Sequence, residues 1–223
     1  KLNSSLETRV VSLINKFDQG SIGPKDRSVF SSLKKTVENK TFFISAHEEN
    51  YLAKCQEGQW IEYLIFRHEF NALATKKIET DFPPYLLIEP VSLCNLRCIM
   101  CFQVDKSFSG NKSMMGRMDL ALFKRIVDEA AMKGTKAITL ASRGEPTLHR
   151  QLPEMIRYMK GKFLEVKINT NATLLNDDLC RVILDSEVTD LVFSVDSYEA
   201  ENYEKIRQKA KFNKVLNNIE RFH

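Results

Sequence analysis

From Tyr85 onward, short apolar segments alternate with longer segments that carry apolar residues at every third or fourth position. The short segments are typical of buried strands and the longer ones of amphipathic helices. The predicted strands are Tyr85–Val91, Ala137–Ala141, Leu164–Asn169 and Leu191–Val195. The predicted helices after them are Asp119–Lys133, Pro153–Lys160, Asn176–Ser186 and Ala200–Phe222, the last with a break near Gln208. Because parallel strands need crossover helices, four βα units predict an α/β fold built on a parallel sheet.

The first eighty residues show only the apolar spacing of helices, at residues 2–17, 29–37, 50–55 and 60–73. The helical pattern then ends at the segment Asp81-Phe82-Pro83-Pro84, because paired prolines cannot continue a helix. The sequence therefore predicts a small, mostly helical N-terminal region, residues 1–82, followed by an α/β domain, residues 83–223.

Composition excludes several classes of protein. A hydrophobic content of 43% over 223 residues is enough for a sizeable core. The net charge of +4 is spread along the chain, which disfavours nucleic-acid binding. No apolar run approaches the roughly 18 residues that cross a bilayer, and no secretory signal is present, so we expect a cytoplasmic protein.

Three of the five cysteines lie within eight residues, just beyond the first predicted strand, as Cys94, Cys98 and Cys101. This clustering favours metal binding over a disulfide framework, and the remaining Cys55 and Cys180 are interpreted as small apolar residues. Iron-sulfur clusters are held by cysteine thiolates, and a metal position without a protein ligand is what makes a site reactive. Three thiolates on a four-iron cluster would leave one iron open to a small molecule.

A second interpretation is a non-catalytic metal-binding module, in which the same cysteines hold zinc or an electron-transfer cluster. Such a site needs a fourth ligand. The sequence offers five candidates, of which His149 lies nearest to a predicted strand end: Cys55, Cys180, His47, His68 and His149.

Polar residues follow every predicted strand. The cysteine segment follows the first, Ser142 to Glu145 the second, Asn169 to Asn171 the third, and Ser194 to Asp196 the fourth. In parallel βα folds the carboxyl ends of the strands meet, and functional residues gather there. The sequence therefore predicts one site at this end of the sheet.

The cysteine triad, together with Ser142-Arg143-Gly144-Glu145-Pro146, resembles the radical S-adenosylmethionine (SAM) superfamily from about Tyr85 to the end of the chain. The resemblance implies a [4Fe-4S] cluster on Cys94, Cys98 and Cys101, with SAM on the open iron. It also implies that a flavodoxin or ferredoxin reduces the cluster. Cleavage of SAM would then give a 5′-deoxyadenosyl radical, which abstracts hydrogen from a small-molecule, sugar or peptide substrate.

The same resemblance implies which residues contact the cofactor. Met100 would pack near the adenine, where an aromatic residue is more frequent, and Ser194 would contact the ribose. Glu145 would accept hydrogen bonds from the ammonium group of SAM, and the implied contacts also include Ser142, Gly144 and Asn171. Arg143 stands where the family commonly has glycine and is free to reach a substrate. Arg207 is interpreted as a surface residue, with the cofactor carboxylate as its alternative partner.

Barrels of this superfamily usually have six βα units, whereas this chain has four predicted ones. We therefore expect an incomplete barrel as presented. We also expect that the natural protein continues beyond His223 with further strands and a cysteine-rich auxiliary-cluster domain, as in the SPASM/twitch branch.

Overall fold

The computed structural model describes residues 4–77 and 79–222. The chain forms two compact units, one that ends at Asp81 and one that begins at Phe82. Within the described ranges, no helix is both long and apolar enough to cross a membrane.

The N-terminal unit contains the helices α1 Ser4–Lys16, α2 Pro24–Glu38, α3 Ala46–Lys54 and α4 Trp60–Lys76. The predicted start of α1 at Leu2 lies outside the described residues. The α3 helix begins with a capping box, in which Ser45 and Glu48 satisfy each other's backbone amides. Aromatic residues of α4 pack inside this unit, and Trp60, Tyr63 and Phe66 are all buried.

The second unit is built on a parallel sheet of four strands in the order β1-β3-β4-β5. These strands are β1 Tyr85–Ile88, β3 Ala137–Leu140, β4 Glu165–Thr170 and β5 Asp190–Phe193. They confirm the predicted parallel α/β fold. The first strand ends three residues earlier than predicted, because Pro90 has no N–H to continue the ladder.

The short helix α5 Lys106–Ser109 follows the cysteine segment. Helices α6 Leu120–Lys133, α7 Leu152–Met159 and α8 Asp177–Asp185 connect the strands. They pack against one face of the sheet through Ile88, Ile138, Leu140, Val166 and Ile168. Asp119 caps α6 by accepting hydrogen bonds from two backbone amides, and Asn176 caps α8 by accepting one from the Leu179 amide. We call the opposite face, which carries Leu87, Asn169 and Val192, the inner face.

The last predicted helix, Ala200–Phe222, is interrupted near Gln208 as predicted. The chain forms α9 Ala200–Ile206, the short strand β6 Arg207–Gln208, and α10 Phe212–Phe222. Strand β6 pairs antiparallel with β2 Arg97–Cys98, which lies inside the cysteine segment. Two-residue strands are too short to show alternation, so the sequence indicated a break here but not the pairing.

Candidate functional site

The cysteine loop, residues 94–101, is held by hydrogen bonds from the Arg97 side chain and by pairing with β6. Arg97 folds back onto the loop and donates from Nη1 to the carbonyl oxygens of Cys94, at 2.9 Å, and Leu96, at 2.6 Å. Strand β2 pairs with β6, which fixes Cys98 opposite Arg207. Cys98 is buried with Leu96 and Tyr203 in a small apolar cluster. The loop therefore has a defined shape before any metal binds.

Gly144 brings the end of β3 into direct contact with the segment that leads into this loop. A Cβ atom at Gly144 would lie 1.8 Å from the carbonyl oxygen of Val91, which only glycine avoids. The next amide, that of Glu145, donates to the carbonyl oxygen of Leu93 at 2.9 Å. Gly144 thus has a structural role, since it lets two strand ends pack backbone to backbone.

Asn171 connects the end of β4 to the same loop. Its Nδ2 donates to Asn95 Oδ1 at 3.0 Å and lies 4.0 Å from Cys94 Sγ. Asn95 in turn donates to Thr173 Oγ1 at 2.7 Å. The predicted site residue Asn171 is therefore brought to the cysteine loop.

The Glu145 carboxylate lies at the junction of β3 and β4 and is 3% exposed. Its Oε1 accepts hydrogen bonds from Thr170 Oγ1 at 2.6 Å and Thr147 Oγ1 at 2.7 Å. Its Oε2 accepts from the Asn171 amide at 2.7 Å. An ionised carboxylate has about four acceptor positions, so Oε2 retains one for a further donor.

Gln103 is a functional-site residue that sequence reasoning missed. It is 2% exposed, and its Nε2 donates to the carbonyl oxygens of Ser92, at 2.7 Å, and Arg143, at 2.8 Å. One side chain thus links the end of β1, the cysteine loop and the end of β3. A single glutamine two residues beyond the third cysteine carries no periodic signal that would have revealed this.

Arg207 is not the surface residue that the sequence suggested. Its side chain is 12% exposed, and its Nε lies 2.6 Å from Asp196 Oδ2 as an ion pair. Its Nη1 lies 3.8 Å from Cys98 Sγ. Asp196, which follows β5, therefore holds a guanidinium against one of the three thiols.

The remaining predicted cofactor residues are placed as follows. Met100 lies between Cys98 and Cys101 with its side chain 59% exposed. Ser142 is exposed and has a φ of 107°, in the region that L-residues rarely adopt. Ser194 follows β5, is half-buried, and donates its amide to the carbonyl oxygen of Thr170 at 2.9 Å.

The thiols influence one another electrostatically. Burial raises the pKa of the Cys94 thiol, the Leu96 amide partly offsets this, and Glu145 and the other two cysteines raise it further. Burial also raises the pKa of Cys98, while Arg207 opposes that shift. Because the pKa values of Cys94 and Cys98 are raised, these thiols would release protons on binding a metal.

Two of the five candidate fourth ligands for zinc, His149 and Cys180, are engaged elsewhere in the second unit. Both ring nitrogens of His149 are engaged, Nε2 with the Met118 carbonyl oxygen and Nδ1 with the Gln151 amide. Cys180 is buried in the core between helices and sheet. Among residues 4–77 and 79–222, no three His, Cys, Asp or Glu side chains are arranged to hold a single metal ion. A cluster does not need that arrangement, because each thiolate binds a different iron.

The donor set fits an iron-sulfur cluster. It consists of three free thiols on one preformed loop, with N–H groups of Asn171 and Arg207 near two of the sulfurs. The parallel βα sheet and the cysteine loop at its strand ends together fit an iron-sulfur protein of the α/β class. Residues 88–223 match the model of the Radical SAM superfamily, and the chain belongs to that superfamily of enzymes, which use a [4Fe-4S] cluster and SAM.

Several curated proteins are similar to this chain. The tungsten-containing aldehyde ferredoxin oxidoreductase cofactor-modifying protein of Pyrococcus furiosus is 36% identical over 113 residues, which cover 50% of this chain and 30% of the relative. The cysteine-type anaerobic sulfatase-maturating enzyme of Clostridium novyi is 31% identical over 147 residues, covering 60% and 39%. This chain thus spans well under half the length of either relative.

Among solved structures, SuiB of Streptococcus suis, bound to its precursor peptide SuiA, has a TM-score of 0.53 to this chain. The two are 18% identical, and the match covers 88% of this chain and 44% of SuiB. At that identity the likeness shows a shared fold.

Proposed function

We propose that this chain is the core of a radical SAM enzyme in which Cys94, Cys98 and Cys101 hold the [4Fe-4S] cluster. The observation that carries the proposal is the cysteine loop itself, whose three thiols are free and which is fixed by the ends of β1, β3 and β4. When bound, the cluster and SAM supply reductive cleavage of the sulfonium and a 5′-deoxyadenosyl radical for hydrogen abstraction.

The residues of the chain hold the cysteine ligands of the cluster in position. Gly144 and Gln103 hold the strand ends against the cysteine loop, so that the three thiols keep their places. Asn171 and Arg207 direct N–H groups toward Cys94 and Cys98, a contact that stabilises thiolates. These four residues therefore act on the cluster through its ligands.

For SAM we propose contacts with Met100, Ser142, Gly144, Glu145, Asn171 and Ser194. The open acceptor position of Glu145 Oε2 supports its role toward the ammonium group. The exposure of Met100 beside Cys101 supports a role in covering the adenine. Ser194 at the end of β5 supports the ribose contact.

We also propose that a flavodoxin or ferredoxin supplies the electron, and that the substrate is a small molecule, a sugar or a peptide under maturation. The name of the sulfatase-maturating relative and the peptide-bound SuiB structure support a peptide. The names of other relatives, such as GTP 3′,8-cyclase of Synechocystis sp., support a small molecule.

The test is metal analysis after anaerobic reconstitution of the wild type, of Cys98→Ala and of the control Cys180→Ala. The wild type and the control are expected to hold about four irons and four sulfides, and Cys98→Ala much less. Cys180 is a suitable control because it is buried away from the loop, in the core of helices and sheet. Stoichiometric zinc without sulfide would refute the proposal.

A further inference from the structure

The Arg143 side chain is fixed at the end of β3 by two different kinds of contact. Its Nε donates to Glu89 Oε2 at 2.8 Å and its Nη2 to Glu89 Oε1 at 2.7 Å, a paired arrangement that sets the plane of the guanidinium. The guanidinium carbon lies 5.2 Å from the centre of the Phe108 ring, which covers one face. One edge and one face of the group are thus occupied.

The backbone around Arg143 is held as firmly as its side chain. Its amide donates to Glu89 Oε2 at 2.8 Å, and its carbonyl oxygen accepts from Gln103 Nε2 at 2.8 Å. Ser142, immediately before it, has a φ of 107° and hydrogen-bonds Glu89 through its side chain. Such unfavourable backbone persists only where the surroundings impose it, and it is concentrated at functional sites.

Part of this fixed guanidinium stays open. The Arg143 side chain is 46% exposed, and within the described part of the chain its Nη1 has no hydrogen-bond partner. A guanidinium has five N–H donors, of which Glu89 uses two, so three remain. If the ion pair served only to join β1 to β3, the three remaining N–H donors of Arg143 would not need to be held in one orientation.

The three unused N–H donors of the Arg143 guanidinium lie on the inner face of the sheet. Ile88 packs toward the helices, so Glu89, the next residue, continues β1 on the opposite side and draws Arg143 there. Asn169 lies at the same level on β4, two strands away, since Ile88, Leu140 and Ile168 are in register. Its Oδ1 is buried and accepts no hydrogen bond from residues 4–77 or 79–222. The inner face therefore carries the open donors of Arg143 and a buried acceptor without a partner among the residues described, at strands β1 and β4 whose backbones are about 10 Å apart.

We propose that Arg143 determines substrate specificity by binding a carboxylate of the substrate, while Asn169 accepts a hydrogen bond from an O–H or N–H group of the same molecule. This inference rests on the proposed function, because it concerns the substrate side of that site. A planar carboxylate can accept hydrogen bonds from the remaining pair of guanidinium N–H donors. Glu89 already neutralises Arg143 and repels a further anion, and this repulsion is larger for a doubly charged phosphate than for a singly charged carboxylate.

The binding test uses the protein without its cluster and labelled with ¹⁵N at arginine Nε. The Nε–Hε signals are followed by NMR. Sodium acetate and sodium phosphate are added at constant ionic strength, and Arg143→Lys identifies the signal. The Arg143 signal is expected to shift saturably with acetate and at least severalfold less with phosphate. The exposed Arg150 is the internal control and should show only a small, linear shift. An Arg143 signal that behaves like that of Arg150, or that prefers phosphate, overturns the proposal.

A second measurement separates substrate from cofactor. In reconstituted protein, Arg143→Gln is expected to keep the dissociation constant of SAM within about twofold of the wild type. A loss of about tenfold or more would assign Arg143 to the carboxylate of SAM and overturn the proposal. If the chain assembled no cluster, the proposed function would fail, while the NMR titration of the unloaded chain would still decide the role of Arg143.

Discussion

Replacing Gly144 by alanine is expected to destabilise the second unit strongly. The added Cβ would lie 1.8 Å from the Val91 carbonyl oxygen and 2.8 Å from that of Leu93, both of them backbone atoms that cannot rotate away. Contacts below 3.0 Å do not occur for real Cβ atoms, so the two backbone segments must separate by roughly 1.2 Å. That movement breaks the hydrogen bond from the Glu145 amide to Leu93, now 2.9 Å long.

Two effects set the magnitude of this loss. Forcing an extra group into a packed contact costs about 1–3 kcal/mol. Leaving a buried amide and carbonyl without partners costs about another 1–3 kcal/mol. The free energy of unfolding should therefore fall by about 2–6 kcal/mol, a large share of the roughly 5–15 kcal/mol typical of a domain.

The assay is urea unfolding followed by circular dichroism, with the fluorescence of Trp60 recorded in parallel. Trp60 is the only tryptophan and lies in the N-terminal unit, so its signal reports on that unit. Gly116→Ala is the matched control, because a Cβ at Gly116 meets nothing within 4 Å. A Gly144→Ala protein whose dichroism midpoint equals that of Gly116→Ala would show that the close approach at Gly144 is not required.

Three further outcomes are expected. Gln103→Leu should lower the free energy of unfolding by about 2–3 kcal/mol, because two carbonyl oxygens lose a buried donor; an unchanged urea midpoint would contradict this. Asn171→Ala should speed the loss of iron to a chelator, since the cysteine loop loses its tie to β4 at Asn95; equal rates in variant and wild type would contradict it. Burial acts to raise the pKa of Glu89, but hydrogen bonds from Arg143 and its charge outweigh this and hold the pKa below the ordinary 4.5. The ion pair between Glu89 and Arg143 therefore stabilises the fold above pH 4.5, and this stabilisation is lost as the pH falls through the lower pKa of folded Glu89. The difference in unfolding free energy between wild type and Arg143→Gln should be constant from about pH 7 to 5 and shrink below about pH 4. A difference that grew on acidification would show that the sign is wrong.

Local patterns made the sheet and its helices predictable. Alternating faces and helical spacing depend on neighbours in sequence, so the four parallel strands and the helices between them could be inferred directly. The cysteine loop was also predictable, because three cysteines at this spacing are rare outside metal sites.

Contacts between loops were not predictable. The pairing of β2 with β6 joins residues more than a hundred positions apart and leaves no periodic signal. The burial of Gln103 and the partnership of Arg143 with Glu89 depend on how strand ends meet, which is decided by the tertiary fold. Arg207 was misjudged for the same reason, since its ion pair with Asp196 depends on where α9 ends and β6 begins.

The central claim is that three cysteines hold a four-iron cluster whose remaining iron binds SAM. Electron paramagnetic resonance of the dithionite-reduced, fully reconstituted protein, with and without SAM, tests it most directly. We predict that SAM changes the spectrum of the reduced cluster, and that Glu145→Gln retains the cluster but needs more SAM to produce the change. A complete cluster whose spectrum is the same at saturating SAM as without it would contradict the claim.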